Sequence, residues 1–569
     1  MHSTFFLIMR RMRRPLLTLI IAHAIAMIGL VLIPGVDDQG NPWQMSFSHA
    51  LYVISYTTTT IGYGEVPYPF TPHQRLWMTF CIYLTVITWL YSIGSLITLL
   101  QDQALRRVLV ESLFRRQVAA LREPFVLICG YGETGRALVH TLISRQQRAV
   151  VVDNDPERIN ILKMESISEQ VPALQGETRS PEVLIDAGIT NPWCRGVVAM
   201  TQNNNVNLKV AITAKLLHRD LKVICRADSK EVEANMASFG TDHILDPFDT
   251  FALHLATAMQ SPCLFQLRNW LTGKIDRDRE PVALPAQGRW ILCGYGRFGK
   301  AVYERLEDEL FETVIIEATP EKTGKPENVK FFTGWGTDEQ TLRTAGAEEA
   351  VGLVAGTDND NNNLSIVMTA REINPNLYIV FRQNRRDNQT IVDALGADMV
   401  MHPSAIIADR IQILLTTPML EEFFGLGLFQ DEQWACTLFS RLVGLLADHE
   451  EPLAWEMTID PDHANAVVDA LKQSKPVTLG QLLANPRERA ESLPVVALLL
   501  IRHSGERVLL PPTNLYLRPE DQLLLFGSTG ARARMGWTLH NEHALRYILT
   551  GAAPRQGKVW KYLRKHLAG

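Results

Sequence analysis

Cysteine motifs and a strong net charge are both missing from this sequence. Its seven cysteines are scattered, and no Cys-x-x-Cys pair occurs among them. That spacing predicts unpaired thiols in a reducing cytosol, and it argues against a disulfide framework or a structural zinc site. The formal net charge of −5 provides no basic field, so we expect no nucleic acid among the partners.

Long apolar runs are scarce, and they are confined to the first hundred residues. Two runs, 16–33 and 75–100, have about the length needed to cross the hydrocarbon core of a bilayer. A signal peptide would explain the first run, but no small-residue cleavage site precedes Pro34 and a second run follows. We therefore expect two transmembrane helices in a lipid bilayer.

Basic residues flank the two runs on the same side. The connecting segment carries three acids and only one arginine. By the positive-inside rule, both termini are cytoplasmic and the chain is a multi-pass protein of the cell (inner) membrane. No further span with regularly spaced arginines is present, so no voltage sensor is expected. The flanking arginines are Arg10, Arg11, Arg13, Arg14, Arg106, Arg107, Arg115 and Arg116.

The segment between the runs, 46–65, predicts a short re-entrant helix followed by an ion-binding strand of backbone. Phe47 to Tyr56 is too short to span the bilayer, and it leads into Thr60, Ile61, Gly62, Tyr63 and Gly64. Glycines at alternate positions let successive carbonyls point to one side. Those oxygens, with the Thr60 hydroxyl, can replace the hydration shell of K⁺.

This Thr-Ile-Gly-Tyr-Gly string resembles the signature of potassium channels. The resemblance implies a K⁺-selective filter, which four chains build together as a homotetramer. Glu65 follows the string where that family usually has Asp. A pore that has lost selectivity through this change is therefore kept as an alternative, and reversal potentials in mixed potassium and sodium would distinguish it.

Gly94 is the only glycine of the second run. It is a candidate gating hinge, because glycine permits a helix to bend. It is equally well explained as a small residue for helix packing. Both interpretations stay open at this point.

The remainder of the chain contains an internal duplication. FVLICGYGETG in the first copy recurs as RWILCGYGRFG in the second, with the glycines 164 residues apart, and Asp153 recurs as Glu317 at the same offset. Apolar strand-like runs alternate with helical segments, which predicts a doubly wound parallel sheet in each copy. A glycine-rich turn between strand and helix, followed by an acid 18 residues later, is typical of dinucleotide sites.

The two copies differ in the charge of the glycine loop. The first carries Glu133 and the second carries Arg297, so a phosphate-rich ligand is favoured in the second copy. Either copy could instead keep the fold and have lost the ligand. The candidate nucleotide-binding residues are Gly130, Gly132, Glu133, Thr134, Gly135, Asp153, Thr201 and Arg226, and in the second copy Gly294, Gly296, Arg297, Phe298, Gly299, Glu317, Thr357 and Arg382.

The duplicated half resembles the RCK (regulator of potassium conductance) family from about residue 115 to the end. That resemblance implies an adenine nucleotide (NAD, ADP or ATP) as regulatory ligand and an exchanged crossover helix, placed at 251–272. Arg226 stands where some members hold calcium, so that site is expected to be lost, while calcium elsewhere stays open. Gly334-Trp335 replaces the expected glycine–acid pair, which puts a ligand contact there in doubt.

The expected fold is an α-helical membrane pore followed by two tandem α/β Rossmann-like RCK domains, the second with a small α+β C-terminal lobe. The predicted domains are a pore (1–104), a linker helix (105–122), a first RCK domain (123–285), and a second one with an N-terminal lobe (286–430) and a C-terminal lobe (431–569).

These features predict a ligand-gated potassium channel subunit rather than an enzyme. The rival is a membrane-anchored NAD-dependent oxidoreductase. It would need a proton-transfer group beside a substrate cleft, and no His/Asp or Lys/Tyr constellation is recognisable in the sequence.

Overall fold

The computed structural model describes residues 2–167, 170–272, 287–306, 311–385, 388–446 and 452–552. The chain divides into two compact units, Met1–Ala120 and Leu121–Gly569. Each unit is described by itself.

Three helices and their short connections form the body of the first unit, and a fourth helix follows. The elements are α1 (His2–Leu32), β1 (Gly35–Val36), β2 (Pro42–Trp43), α2 (Phe47–Thr58), α3 (Pro72–Gln101) and α4 (Gln103–Ala120). Two stretches, Met12–Leu32 and Pro72–Gln101, are long and apolar enough to cross a membrane, as the sequence predicts. The chain leaves helical geometry at Asp102, whose ψ is 116°, so α4 is a separate helix, and it overlaps the predicted linker helix at 105–122.

The core of the first unit combines large apolar side chains with a few small residues where the helices approach closely. Ala26 and Leu30 of α1 are buried together with Ile54 of α2 and Cys81 of α3. Gly29 has no room for a side chain, because a Cβ there would overlap the ring of Trp77. Apolar side chains also cover the outer faces, as a hydrocarbon surrounding requires: Ile20, Ile28, Leu76, Tyr83, Ile87 and Leu90 are all exposed.

The first half of the second unit is a parallel six-stranded sheet in the order β5-β4-β3-β6-β7-β8. Its elements are β3 (Phe125–Cys129), α5 (Glu133–Ser144), β4 (Arg148–Asp153), α6 (Pro156–Met164), β5 (Ala173–Gln175), α7 (Pro181–Asp186), β6 (Cys194–Ala199), α8 (Asn204–Leu217), β7 (Lys222–Arg226), α9 (Lys230–Ser238), β8 (His243–Leu245), α10 (Pro247–Gln260) and α11 (Pro262–Leu271). The strand order reverses beside β3, where a ligand crevice is expected.

The second sheet repeats this topology in the order β11-β10-β9-β12-β13-β14, again with every neighbouring pair parallel. Its elements are β9 (Gly288–Cys293), α12 (Arg297–Leu306), β10 (Phe311–Glu317), α13 (Pro320–Thr323), β11 (Lys330–Thr333), α14 (Glu339–Thr344), β12 (Gly352–Ala355), α15 (Asp360–Ile373), β13 (Tyr378–Arg382), α16 (Gln389–Leu395), β14 (Met399–Met401), α17 (Pro403–Thr416) and α18 (Pro418–Gly427). The predicted pair of doubly wound sheets is confirmed.

The two repeats exchange helices. α10 packs against α12 of the second repeat, where Phe251 and Leu255 enter the core of the second sheet. α17 packs in return against α5 of the first repeat, and Ile407 and Ile411 are buried with Leu138. The crossover predicted at 251–272 is confirmed, as two helices rather than one, and each sheet is covered by a helix encoded in the other repeat.

A small α+β lobe closes the described chain, as predicted. Its elements are α19 (Glu432–Val443), β15 (Leu453–Thr458), α20 (Asn465–Lys472), α21 (Leu479–Leu482), β16 (Val495–Ile501), β17 (Arg507–Leu509), β18 (Gln522–Gly527), α22 (Thr529–His540) and α23 (Glu542–Thr550). The strands form an antiparallel sheet in the order β15-β18-β16-β17. One face buries Leu500 and Leu523 beneath α20 to α23, and the other buries Leu498 and Phe526 against α11, α18 and α19.

One prediction from the sequence is wrong. Cys263 of α11 and Cys436 of α19 form a disulfide, with their Cα atoms 5.0 Å apart. The pairing joins residues 173 positions apart, so the local spacing of cysteines could not indicate it. The other five cysteines are free and buried, as expected of apolar filler.

Candidate pore and nucleotide sites

The backbone of the predicted filter turns at every second residue. Thr60, Gly62 and Gly64 have φ values of 61°, 68° and 92°. Glycine adopts this left-handed region at no steric cost, whereas Thr60 is one of few non-glycine residues here to do so. The alternation is the backbone geometry that the sequence predicts for a row of carbonyl oxygens.

Side chains of α2 and α3 hold this loop. The Tyr56 hydroxyl donates a hydrogen bond to the Gly64 carbonyl, and the ring of Tyr52 stacks on Tyr63 at 6.2 Å between ring centres. Arg75 donates from Nε and Nη2 to the two carboxylate oxygens of Glu65, at 2.7 and 3.0 Å. Glu65 therefore forms a two-point ion pair that fixes the C-terminal end of the predicted filter to the start of α3.

Gly94 lies within α3, which is continuous from Pro72 to Gln101. A Cβ on Gly94 would meet none of the described atoms within 4 Å. The hinge stays a prediction, and none of the described residues packs so closely that it requires a glycine at this position.

The glycine loops of the two repeats have the same construction. Gly130 and Gly294 have φ values of 107° and 101°, and a Cβ on the third glycine, Gly135 or Gly299, would overlap the carbonyl oxygen of the first. These glycines are therefore required by the fold itself.

The middle glycine of each loop is different. A Cβ on Gly296 would touch none of the described atoms within 4 Å, and one on Gly132 would meet only Arg158 Nη1, at 3.8 Å. Open space above the middle glycine is what lets a phosphate approach the backbone at the helix N-terminus.

Asp153 and Glu317 are buried at the ends of β4 and β10, and each ties down its own glycine loop. Asp153 accepts hydrogen bonds from the backbone N–H of Tyr131 (2.5 Å) and of Asp155 (2.8 Å). Glu317 accepts equivalent bonds from Tyr295 (2.6 Å) and Thr319 (2.8 Å). Both acids thus have a structural role that the sequence did not indicate, in addition to the predicted ribose contact.

Buried asparagines join the fourth and fifth strands in both repeats. Asn207 is fully buried. Its side-chain oxygen accepts hydrogen bonds from the backbone N–H (3.0 Å) and hydroxyl (2.7 Å) of Thr201. Its side-chain nitrogen donates to the backbone carbonyls of Thr201 (2.9 Å) and Arg226 (3.1 Å). Asn363 makes the same bonds to Thr357 and Arg382. Asn207 and Asn363 therefore brace the crevice edge in the same way in both repeats.

The arginines at the strand ends face the crevices from half-buried positions. The Arg382 guanidinium lies 4.8 Å above the ring of Phe298 and donates to the Gly356 carbonyl at 3.1 Å. Burial lowers the pKa of Arg382 to about 10, which still leaves it charged at neutral pH. Its Nε, like that of Arg226, is buried without a hydrogen-bond partner among the described residues, so both carry an unused donor.

Arg297 extends from the second glycine loop toward the first repeat. Its Nη1 lies 2.9 Å from a carboxylate oxygen of Asp228, and its guanidinium lies 4.5 Å above the ring of Phe248. Arg226 also lies 3.9 Å from Asp228. The end of β7 in the first repeat is therefore linked by charge to the glycine loop of the second.

The second repeat gathers its predicted residues around one cleft. The cleft has a volume of about 490 Å³, within the range of ligand sites. All eight candidates of this copy line it: Gly294, Gly296, Arg297, Phe298, Gly299, Glu317, Thr357 and Arg382. Trp335, which replaces the expected acid, is 59% exposed and also lines it.

In the first repeat, the arginines near the glycine loop form ion pairs with acids of the same repeat. Glu133 is exposed and Thr134 half-buried in the first turn of α5. Arg136, next along α5, pairs with Glu165 at 2.7 Å, and Arg158 lies 3.4 Å from Asp153. The cations nearest to this glycine loop are therefore already matched by acids.

Two family models match this chain. The ion channel family covers residues 16–102, and the TrkA-N domain family covers 126–247 and 290–403. The ion channel match includes both long apolar helices and the predicted filter, so this part of the chain is a membrane segment. The two segments that match the TrkA-N domain family coincide with the duplicated sheets.

Solved and curated proteins point the same way. A GsuK channel structure aligns over 94% of this chain and 99% of its own, with a TM-score of 0.50 and 16% identity, which shows the fold. Potassium channel protein 1 of Methanocaldococcus jannaschii is 30% identical over 138 residues, covering 24% of this chain and 41% of the relative. Probable potassium channel protein 2 of the same organism is 28% identical over 141 residues, with the same coverage. The chain thus spans well under half the length of these curated relatives.

The order of the matched segments, with the filter loop between the first two long helices, sets the chain apart from an oxidoreductase. It combines an ion-channel domain with two TrkA-N (RCK) domains, which is the organisation of potassium channels that carry RCK domains.

Proposed function

We propose that this chain is one subunit of a homotetrameric, K⁺-selective channel in the cell (inner) membrane, with both termini cytoplasmic. The observation that carries the proposal is the left-handed backbone at Thr60, Gly62 and Gly64. It lies in the loop between two apolar helices, where irregular backbone is tolerated only beside a polar path or inside protein. Four such loops around one axis would substitute carbonyl oxygens for the water around a cation.

The filter side chains support assembly of several copies. In the single chain, Ile61 is 58% and Tyr63 63% exposed. Apolar and aromatic side chains at a re-entrant loop are costly to leave uncovered by protein or lipid. Neighbouring subunits around the pore would cover them.

We further propose that an adenine nucleotide (NAD, ADP or ATP) binds the cleft of the second repeat and controls opening. Gly296 offers open backbone, Arg297 and Arg382 offer positive charge, and Glu317 offers acceptors for ribose hydroxyls. A nucleotide gates the pore only if it binds the open and closed arrangements with different affinity. The domain limits 1–104, 105–122, 123–285, 286–430 and 431–569 stay part of this proposal. The exchanged helices α10 and α17 belong by sequence to 123–285 and 286–430, and each packs on the other of these two domains.

The first repeat is the weaker candidate for a phosphate-rich ligand. Its cations, Arg136 and Arg158, are matched by Glu165 and Asp153. A phosphate there would have to compete with these acids, and with Asp228, which lies 3.9 Å from Arg226. Calcium remains a further ligand to be tested. Asp228, the acid left at the family's calcium position, is paired with Arg226 and Arg297.

The test is single-channel recording of the purified full chain in bilayers. NAD, ADP, ATP and Ca²⁺ are added one at a time to the side that carries the TrkA-N domains. We expect currents that reverse at the potassium potential in mixed potassium and sodium, and an open probability that changes with at least one nucleotide. Reversal near zero would instead support a non-selective pore, and silence under every condition would refute the channel.

A further inference from the structure

Two cysteines and a glutamate meet where α11 packs against α19. Cys263 is the second residue of α11, and Cys436 lies one helical turn after Glu432 in α19. The structure joins the two cysteines by a disulfide. Both are half-buried, whereas the five other cysteines of the chain are buried and free. This pair therefore combines proximity with access from solvent.

The surroundings of the two sulfurs differ. Cys263 lies in the first turn of a ten-residue helix, where the backbone N–H groups favour negative charge. Glu432 Oε1 accepts a hydrogen bond from the Cys263 backbone N–H at 2.7 Å and lies 3.6 Å from Cys436 Sγ. The second oxygen, Oε2, is buried without a partner among the described residues. The Glu432 carboxylate lies within 4.8 Å of both sulfurs, so the helix N-terminus is what distinguishes Cys263, and Cys263 is the better suited to attack first.

We propose that Cys263 and Cys436 form a reversible redox site that reacts with a low-molecular-weight disulfide such as oxidised glutathione. The Cys263 thiolate attacks one glutathione sulfur, which forms a mixed disulfide and releases one glutathione thiolate. Cys436 then loses its proton and attacks the Cys263 sulfur, which forms the protein disulfide and releases the second thiolate. Two protein thiols are oxidised, one glutathione disulfide is reduced to two thiols, and the reverse reaction restores the pair.

The proposed cytoplasmic location of the TrkA-N half supports a reversible rather than a permanent disulfide. On the cytoplasmic side proposed above, disulfides are rare, and those that occur are commonly transient or redox-sensing. The inference rests on that side of the membrane, and it does not require that the pore conducts.

The bond connects parts of the chain that are far apart in sequence. α11 belongs to the connection by which the first repeat reaches the second, and α19 opens the C-terminal lobe. Closing a loop between residues 173 positions apart restricts the unfolded chain. We therefore expect the oxidised protein to melt a few degrees above the reduced protein, with the exchanged helices held more firmly against the lobe.

The experiment uses the purified full chain in detergent, equilibrated in glutathione buffers with an increasing oxidised fraction. Samples are quenched with acid, denatured and labelled with maleimide–polyethylene glycol, and the peptides are identified by mass spectrometry. We expect two labels to be lost together as the oxidised fraction increases, and to return with dithiothreitol. Cys263→Ser and Cys436→Ser should each abolish this paired loss, and Cys194→Ala, at a buried free thiol, should preserve it.

Three results would overturn the proposal. The first is two labelled thiols at every glutathione ratio. The second is a bond in the folded protein that reductant does not open, which would make the disulfide permanent and structural. The third is two thiols that, in the folded protein at neutral pH, become labelled on adding a chelator without reductant, because Cys263, Glu432 and Cys436 would then hold a metal such as zinc.

Discussion

The backbone angle at Gly62, in the middle of the predicted filter, is one that a side chain disfavours. Its φ of 68° lies in the left-handed region, where a Cβ costs about 1–2 kcal/mol. We expect Gly62→Ala to rotate the carbonyls out of line and to abolish K⁺ flux into liposomes, while the protein still assembles. Gly536→Ala is the matched control, because Gly536 lies within α22 and a Cβ there would meet none of the described atoms within 4 Å. Flux that survives Gly62→Ala would remove the filter assignment.

Arg382 is the residue whose charge most directly serves the second cleft. It is half-buried over Phe298, and its buried Nε has no described partner. A charge-assisted hydrogen bond contributes about 1.5–3 kcal/mol, so Arg382→Ala should weaken nucleotide binding by roughly 10- to 100-fold. Isothermal titration of the full chain with each nucleotide measures this.

Two comparisons make the Arg382 test specific. Arg343→Ala removes an exposed arginine of α14 outside the cleft and should leave the affinity unchanged. The matched change in the first repeat, Arg226→Ala, reports on the first crevice. Equal binding by Arg382→Ala and the unaltered protein would contradict a phosphate site at the second glycine loop.

Sequence and structure agree best at residues whose role is local. The glycines of both loops and the filter were found from the sequence because their spacing reflects backbone angles within a few residues. The structural role of Asp153 and Glu317 was not found, because it depends on which backbone N–H groups the folded loop presents to them. Arg297 was predicted as a phosphate contact from the charge of its loop. Its pairing with Asp228 depends on how the two repeats pack together, and the local sequence does not show this.

At the level of elements, the Arg297–Asp228 pair links the glycine loop that opens α12 to the end of β7. A bound phosphate would have to draw Arg297 away from Asp228, at a distance of 2.9 Å. Because Arg297 is well exposed, the pair contributes no more than about 1 kcal/mol. We expect Asp228→Asn to strengthen nucleotide binding at the second cleft by up to about fivefold, measured by the same titration.

A control separates this coupling from a general gain of positive charge. Glu231→Gln removes an acid from the nearby helix α9, where it contributes to the first turn, and should change the affinity little. Unchanged or weaker binding by Asp228→Asn would show that Arg297 does not exchange between the two partners.

The elements themselves were largely predictable, and their exchange only in part. Alternating apolar runs and helical segments define both parallel sheets, because burial on both faces leaves a strong local pattern. The reciprocal packing of α17 on α5 involves Ile407 and Ile411, whose apolar spacing would suit any neighbouring sheet. Which sheet they cover is decided by chain connectivity and by the shape of the partner, and neither is visible in the local sequence.

For the second unit as a whole, exchanged helices make the two repeats depend on each other. Leu255 belongs by sequence to the first repeat but is fully buried in the core of the second sheet. Leu255→Ala should therefore cost about 2–5 kcal/mol and lower the stability of the second repeat. Thermal melts followed by circular dichroism test this, with Leu216→Ala at an exposed position of α8 as control. Protease protection lost only in the first repeat would contradict the exchange.

The last expectation concerns the assembled channel. Moving a closed-to-open ratio from 1:99 to 99:1 takes about 5.5 kcal/mol. With one occupied second-repeat cleft in each of four subunits, each cleft needs about 1.4 kcal/mol, a tenfold difference in affinity between the two arrangements. Because the four clefts would act on one gate, open probability should rise or fall with nucleotide more steeply than simple binding, with a Hill coefficient between about 1 and 4. Adding Arg382→Ala subunits in increasing proportion should reduce that steepness step by step. A hyperbolic response at every proportion would mean that each cleft acts alone, and that nucleotide binding and the pore are not coupled through a shared change of shape.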